Sequence, residues 1–195
     1  MSLESRIQDA HADIDAIAAW LDGLDPATRV SEVRAVGPST QRRLWSLCRG
    51  RALGLDDLVP ADRGPLETVR HFGRNTLPAF RLFEKRFCRP PIGTDAGMAW
   101  GYNEGSTRAL IGPGYFIARP TPGDSRGAFV VDYYQVPSAK PADWPSLKHN
   151  KQGLQRFVFA EMHDFMRKVS RHVSIGRAYK RDRETANCFL LCRED

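Results

Sequence analysis

At 195 residues, with 42% hydrophobic and 27% charged side chains, the chain has a globular composition and enough length to bury a core without disulfides or metals, which excludes extended disorder. Its longest unbroken apolar run, residues 16–21, falls far short of the roughly 20 residues that span a bilayer, so no membrane partner is expected. The net charge of +6 is uneven: residues 1–60 are net acidic, and the positive excess sits in residues 61–90 and 151–195. Blocks of that kind attract anions such as phosphate, carboxylate or nucleic acid, or form a solvated basic face.

The opening MSLESRIQDAHAD is too acidic and polar for a secretory signal, so a cytoplasmic location is expected. Four cysteines raise the question of disulfides. In CFLLC, Cys188 and Cys192 would sit about 13 Å apart on a strand, beyond bridging distance, and buried thiols are expected. There is no C-x-x-C pair and the five histidines lack ligand spacing, so no metal is expected and no cofactor is named.

In chain order, Ile7, Ala10, Ile14, Ile17 and Leu21 recur at helical spacing up to Gly23. Asp25 caps a second helix with Pro26 in its first turn, and Pro38 opens a third that stops by Gly50. This segment, 1–60, reads as a helical annex for a protein partner or a homodimer. A DNA-reading helix pair would need a basic surface, which it lacks.

The sheet-bearing unit follows over 61–195. In its first part, VRHFGRNTLPAFRLFEKRFCRPP, Thr76 and Pro78 predict the start of a helix with Phe80, Phe83 and Phe87 on one face. Arg81, Lys85 and Arg89 then form a stripe at i, i+4 and i+8. From residue 98 the period changes to alternation. A strand ending near Tyr102, a second reaching Ile111 and a third over 115–119 are separated by turns at 103–105 and 112–114. The glycines here are punctuation. Ile117 stands where a dinucleotide fingerprint needs its third glycine, and Pro113 removes a donor that a phosphate nest would use. AFVVDYY, 128–134, is the clearest strand, with Phe129, Val131 and Tyr133 on one wholly apolar face.

Residues 151–172 present Leu154, Phe157, Val158, Met162, Phe165, Met166 and Val169 at helical spacing, and predict a long buried helix. VSIGRAYKR and ANCFLLCR then form a closing hairpin. The expected fold is α+β: an N-terminal helical segment, then an antiparallel sheet of meander plus C-terminal hairpin, with one long helix packed across it.

On that helix Glu161 falls inside the apolar arc, where a carboxylate needs a cationic partner or a raised pKa. Arg177 and Asp132 repeat the pattern on strand faces. Glu161, Arg177 and Asp132, with Tyr134 and Tyr179, therefore define a candidate cavity between helix and sheet. The alternative is a buried ion pair that merely fixes the helix. The functional reading is a binding module for a small, partly apolar, anionic ligand. Two others remain open. One is a nucleic-acid binder using Arg70, Arg74, Arg81, Lys85 and Arg89; the other is an enzyme with Glu161 as general acid or base. No G-x-S-x-G or H-E-x-x-H motif supports hydrolysis.

Overall fold

The structure, a computed structural model, describes residues 1–194. Its centre is a closed antiparallel barrel of eight strands: β1 (Val69–Asn75), β2 (Leu82–Cys88), β3 (Ala99–Glu104), β4 (Phe116–Pro120), β5 (Phe129–Asp132), β6 (Met162–Lys168), β7 (Val173–Lys180) and β8 (Arg183–Arg193). Each strand pairs with its neighbours in sequence, and β1 closes on β8 with His71 opposite Arg193 and Asn75 opposite Phe189. Closure removes both sheet edges. The α+β expectation of an open sheet crossed by one long helix is overturned.

The alternation within each strand separates an inner from an outer set. Val69, Phe87, Ala99, Phe116, Ala118, Phe129, Val131, Met166, Phe189 and Leu191 point inward and form one cluster. Small residues make room for the large ones: a Cβ on Gly101 would lie 2.4 Å from the Phe116 ring, and one on Gly176 would lie 2.2 Å from that of Phe189.

The outer face of β5–β8 is also apolar, because helices cover it. These are α1 (Leu3–Gln8), α2 (Ile14–Asp22), α3 (Pro26–Ala35) and α4 (Pro38–Leu47). Leu3, Ile7, Ile17, Leu21, Val33, Leu44 and Trp45 join Phe165, Val173, Ile175, Cys188, Leu190 and Cys192 in one buried cluster. Arg167 on β6 fastens this coat. Its Nη1 donates to the Trp45 carbonyl at 2.7 Å, and its guanidinium stacks 3.7 Å from the Trp45 ring centre. The single helix read over Ile7 to Leu21 is in fact two, since Asp13 caps a new start at Ile14 by accepting from the Asp15 amide. The helices from Pro26 and Pro38 form as expected.

A second coat, the connection after β5, places Trp144 against Trp100, Tyr102 and Tyr115 on the outer side of β3 and β4. One end of the barrel is plugged. Short α5 (Leu55–Leu58) and its flanks bring Leu53, Leu58 and Val59 into the inner cluster. There His71 Nε2 donates to the Leu58 carbonyl at 2.8 Å, and Arg193 Nη1 donates to the carbonyls of Asp56 and Asp57.

Three local expectations are corrected. Residues 82–88 are strand, not helix, so Arg81, Lys85 and Arg89 form no stripe. The strand expected to reach Ile111 is the one-turn helix α6 (Arg108–Ile111). The long helix over 151–172 is one turn, α7 (Gln155–Val158), followed by β6. The hairpin of β7 and β8 is present, turning at Arg181 and Asp182, both with positive φ.

Candidate functional site

The unplugged end holds a cavity of about 530 Å³, a volume typical of small-molecule sites. Its apolar walls include Phe83 from β2, Met162 from β6, Ala178 from β7 and Phe189 from β8. The rest comes from around this end: Leu77 and Phe80 between β1 and β2, Leu82 at the start of β2, Ile111 between β3 and β4, and Phe157, Val158 and Phe159 before β6. Two glycines let these connections meet. Gly112 and Gly114 both have positive φ, and a Cβ would strike Gln155 at 2.6 Å and Phe159 at 2.5 Å, respectively. The glycine-rich stretch therefore turns corners, as read from the sequence, and its corners build a cavity wall.

The floor is polar. Lys85 points inward from β2 between Phe83 and Phe87, and its side chain is only 2% exposed. Nζ donates to Asn103 Oδ1 at 3.0 Å, to Asp164 Oδ2 at 3.2 Å and to the Tyr133 hydroxyl. Three acceptors match the three protons of an ammonium. Tyr133 Oη in turn lies 3.2 Å from Asp164 Oδ2. Around Nζ stand the rings of Phe189 at 4.9 Å and of Phe116 and Tyr133 at 5.0 Å.

Burial pushes the Lys85 amine below its ordinary pKa, and the Asp164 carboxylate reverses only part of that shift. The Tyr133 hydroxyl is pushed well up, by burial first and then by the Asp164 charge, so it stays protonated. The floor thus holds an amine whose neutral form is brought within easier range, a proton-bearing phenol and a carboxylate within hydrogen-bonding distance of both. Deeper toward the plug, burial drives His71 down to about 3, so it is neutral.

None of the five residues proposed from the sequence lines this cavity. Glu161 is a turn residue with φ 62°, half-exposed and paired with Arg181 at 2.7 Å, so the carboxylate buried in a helix does not exist. Arg177 faces the outside of the barrel, donating to the Thr185 carbonyl and pairing with Glu184 at 2.7 Å. Tyr179 packs against the helical coat and reaches Glu184.

Asp132 also faces outward, bound by Arg119 at 3.2 Å, His163 at 3.3 Å and the Tyr134 amide. Burial would raise its carboxyl, yet the bonds from His163, the Tyr134 amide and Gln135 outweigh it and hold the pKa at about 2. Tyr134 is exposed beside His163.

Of the basic set, Lys85 alone enters the cavity. Arg70 sits between Glu84 and Glu194, Arg74 donates to the Arg34 carbonyl, Arg81 to that of Leu77, and Arg89 holds Asp56 and the Val59 carbonyl of the plug. Sequence reading missed Asp164, Tyr133 and Asn103 as site residues. The available signal was a lysine between two phenylalanines at alternate positions, F-E-K-R-F, which places a charge on the apolar face of any strand there.

Compared with known proteins, the chain matches no family model, and no curated protein and no solved structure is found similar to it. Among the described residues no helix is long and apolar enough to cross a membrane, and no cluster of side chains suits a metal ion.

Proposed function

We propose that the protein is a cytoplasmic binding module that takes a small, largely apolar molecule into the open end of its barrel. One polar oxygen of that ligand would sit on the floor formed by Lys85, Tyr133, Asn103 and Asp164. A single observation carries this reading: an apolar cavity of about 530 Å³ ends on one converging polar cluster inside an otherwise sealed barrel. Eight strands enclose an interior that side chains either fill or share with one small ligand. Here the plugged half is filled and the other half is hollow. Phe80 and Phe157 are about two-thirds exposed at the mouth, where they would cover an entering apolar body.

The sequence suggested an anionic ligand, and the floor argues for an uncharged oxygen instead. Asp164 already balances Lys85, so a carboxylate would bring a second negative charge into a buried site. An alcohol or carbonyl accepts from Lys85 or Tyr133 without that cost. The cytoplasmic placement rests on four buried free thiols.

The test is titration with a solvatochromic apolar dye such as Nile red, followed by competition with 1-decanol and with decanoate. Saturable dye binding displaced more strongly by the alcohol supports the reading. Asn187, half-buried on β8, lines the cavity near its mouth. Asn187→Trp fills that space and lowers dye affinity at least tenfold without unfolding the barrel. Undiminished binding in this variant, or no saturable binding to the parent protein, overturns it.

A further inference from the structure

The ligand's polar end can be narrowed further, on the assumption that the barrel cavity is a binding site. We propose that Lys85 Nζ condenses with an aldehyde or ketone carbonyl on an apolar ligand, holding it as an imine on the cavity floor.

The geometry supplies each part. Lys85 is fully enclosed yet lines the cavity, so a carbonyl carbon at the end of an apolar chain that reaches the floor would meet Nζ. The other lining nucleophiles are the Lys180 amine at the mouth and the Cys188 thiol, which burial pushes up to about 11 and so keeps protonated. Asp164 Oδ2 at 3.2 Å is placed to take a proton from the ammonium and free the lone pair, a transfer that the desolvated setting favours. Nζ then bonds to the carbonyl carbon as the C=O π pair moves to oxygen, and that oxygen and the nitrogen exchange a proton to give a neutral carbinolamine. Its hydroxyl leaves as water after accepting a proton from Tyr133 Oη, which is bonded to both Nζ and Asp164. Nitrogen's lone pair completes the C=N bond.

The proton that Asp164 took passes to the phenolate. The N–H of the iminium remains beside the Asp164 carboxylate, which is then its counter-ion. The sum is amine plus carbonyl giving imine plus water, with one proton retained on nitrogen; nothing is oxidised or reduced. The rings of Phe116, Tyr133 and Phe189 around Nζ favour the cationic product and shield it from hydrolysis.

The experiment uses the full chain with stoichiometric decanal at neutral pH, trapped with cyanoborohydride and read by intact mass and peptide mapping. The expected result is one adduct, of the aldehyde's mass less one oxygen, on Lys85. Lys180 at the mouth and the exposed Lys148 and Lys151 are internal competitors.

An adduct spread over those lysines, or no adduct while 1-decanol still displaces Nile red, overturns imine formation and leaves the binding function standing. Failure of both labelling and dye displacement overturns both. Tyr133→Phe, which keeps the ring and its stacking on Phe159, should form the adduct roughly a hundredfold more slowly at saturating decanal. An unchanged rate removes Tyr133 from the step. Lys85→Met, if folded by circular dichroism, should give no adduct at the floor. Mapping of the parent protein decides the matter even if that variant does not fold.

Discussion

Lys85 and Asp164 meet at 3.2 Å across the barrel lumen, from strands β2 and β6 that stand four apart in a ring of eight. The pair is a strut. On one side of it lie packed phenylalanines and the α5 plug, and on the other the hollow end. Because both partners are almost wholly enclosed, removing one leaves an uncompensated charge. Asp164→Asn should therefore cost about 3–5 kcal/mol, whereas the double change Lys85→Met with Asp164→Leu should recover most of it. Urea denaturation of the two variants measures the difference, and equal losses would show that the strut is not a coupled pair.

His71 makes the barrel sensitive to acid. Free in an unfolded chain, its imidazole gains a proton below about 6.5; in the barrel, burial delays that to about 3. The unfolded state therefore binds more protons between those limits, and stability falls as acid is added, by up to about 1.4 kcal/mol per pH unit. His71→Gln keeps a donor for the Leu58 carbonyl and does not titrate. Its urea midpoint should lose that slope between pH 6.5 and 4.

Gly176 sets the tightest contact in the barrel wall. A Cβ there would stand 2.2 Å from Phe189 Cζ and 2.7 Å from Met166 Sδ, both packed from neighbouring strands. Gly176→Ala should destabilise by about 1–3 kcal/mol, read as a lower midpoint at unchanged denaturant slope. Pairing it with Phe189→Leu should restore part of the loss.

The helical coat depends on Arg167. Besides the Trp45 carbonyl it bonds the carbonyl of Arg126 at 2.9 Å, and burial holds its guanidinium below the usual range. A lysine lacks the planar fork needed for both carbonyls and for stacking on Trp45. Arg167→Lys should cost about 2 kcal/mol. Amide hydrogen exchange should rise first in α1–α4, before the barrel strands. Uniform acceleration would mean that coat and barrel open together.

Much of the local grammar was legible in the chain. Asp25 with Pro26, and Pro38, start helices where helices are found, because capping and a fixed φ act within a few residues. Phe129, Val131 and Tyr133 share the inner face as their alternation required. The glycines at 112 and 114 turn the chain. That Cys188 and Cys192 are buried also followed from their place in the apolar run CFLLC.

Closure was decided only in three dimensions. β6 reads as a helix because both of its faces are buried: Met162, Asp164 and Met166 against the lumen, Phe165 and Arg167 under the helical coat. A strand covered on both sides loses the polar–apolar alternation that announces it, and its apolar residues then fall at helical spacing by chance. The same error hid the site. Lys85, Tyr133 and Asp164 lie 48 and 31 residues apart along the chain, and no spacing rule links them. They meet because pairing each strand with the next until β8 returns to β1 carries three separate inward positions to one level of a common lumen.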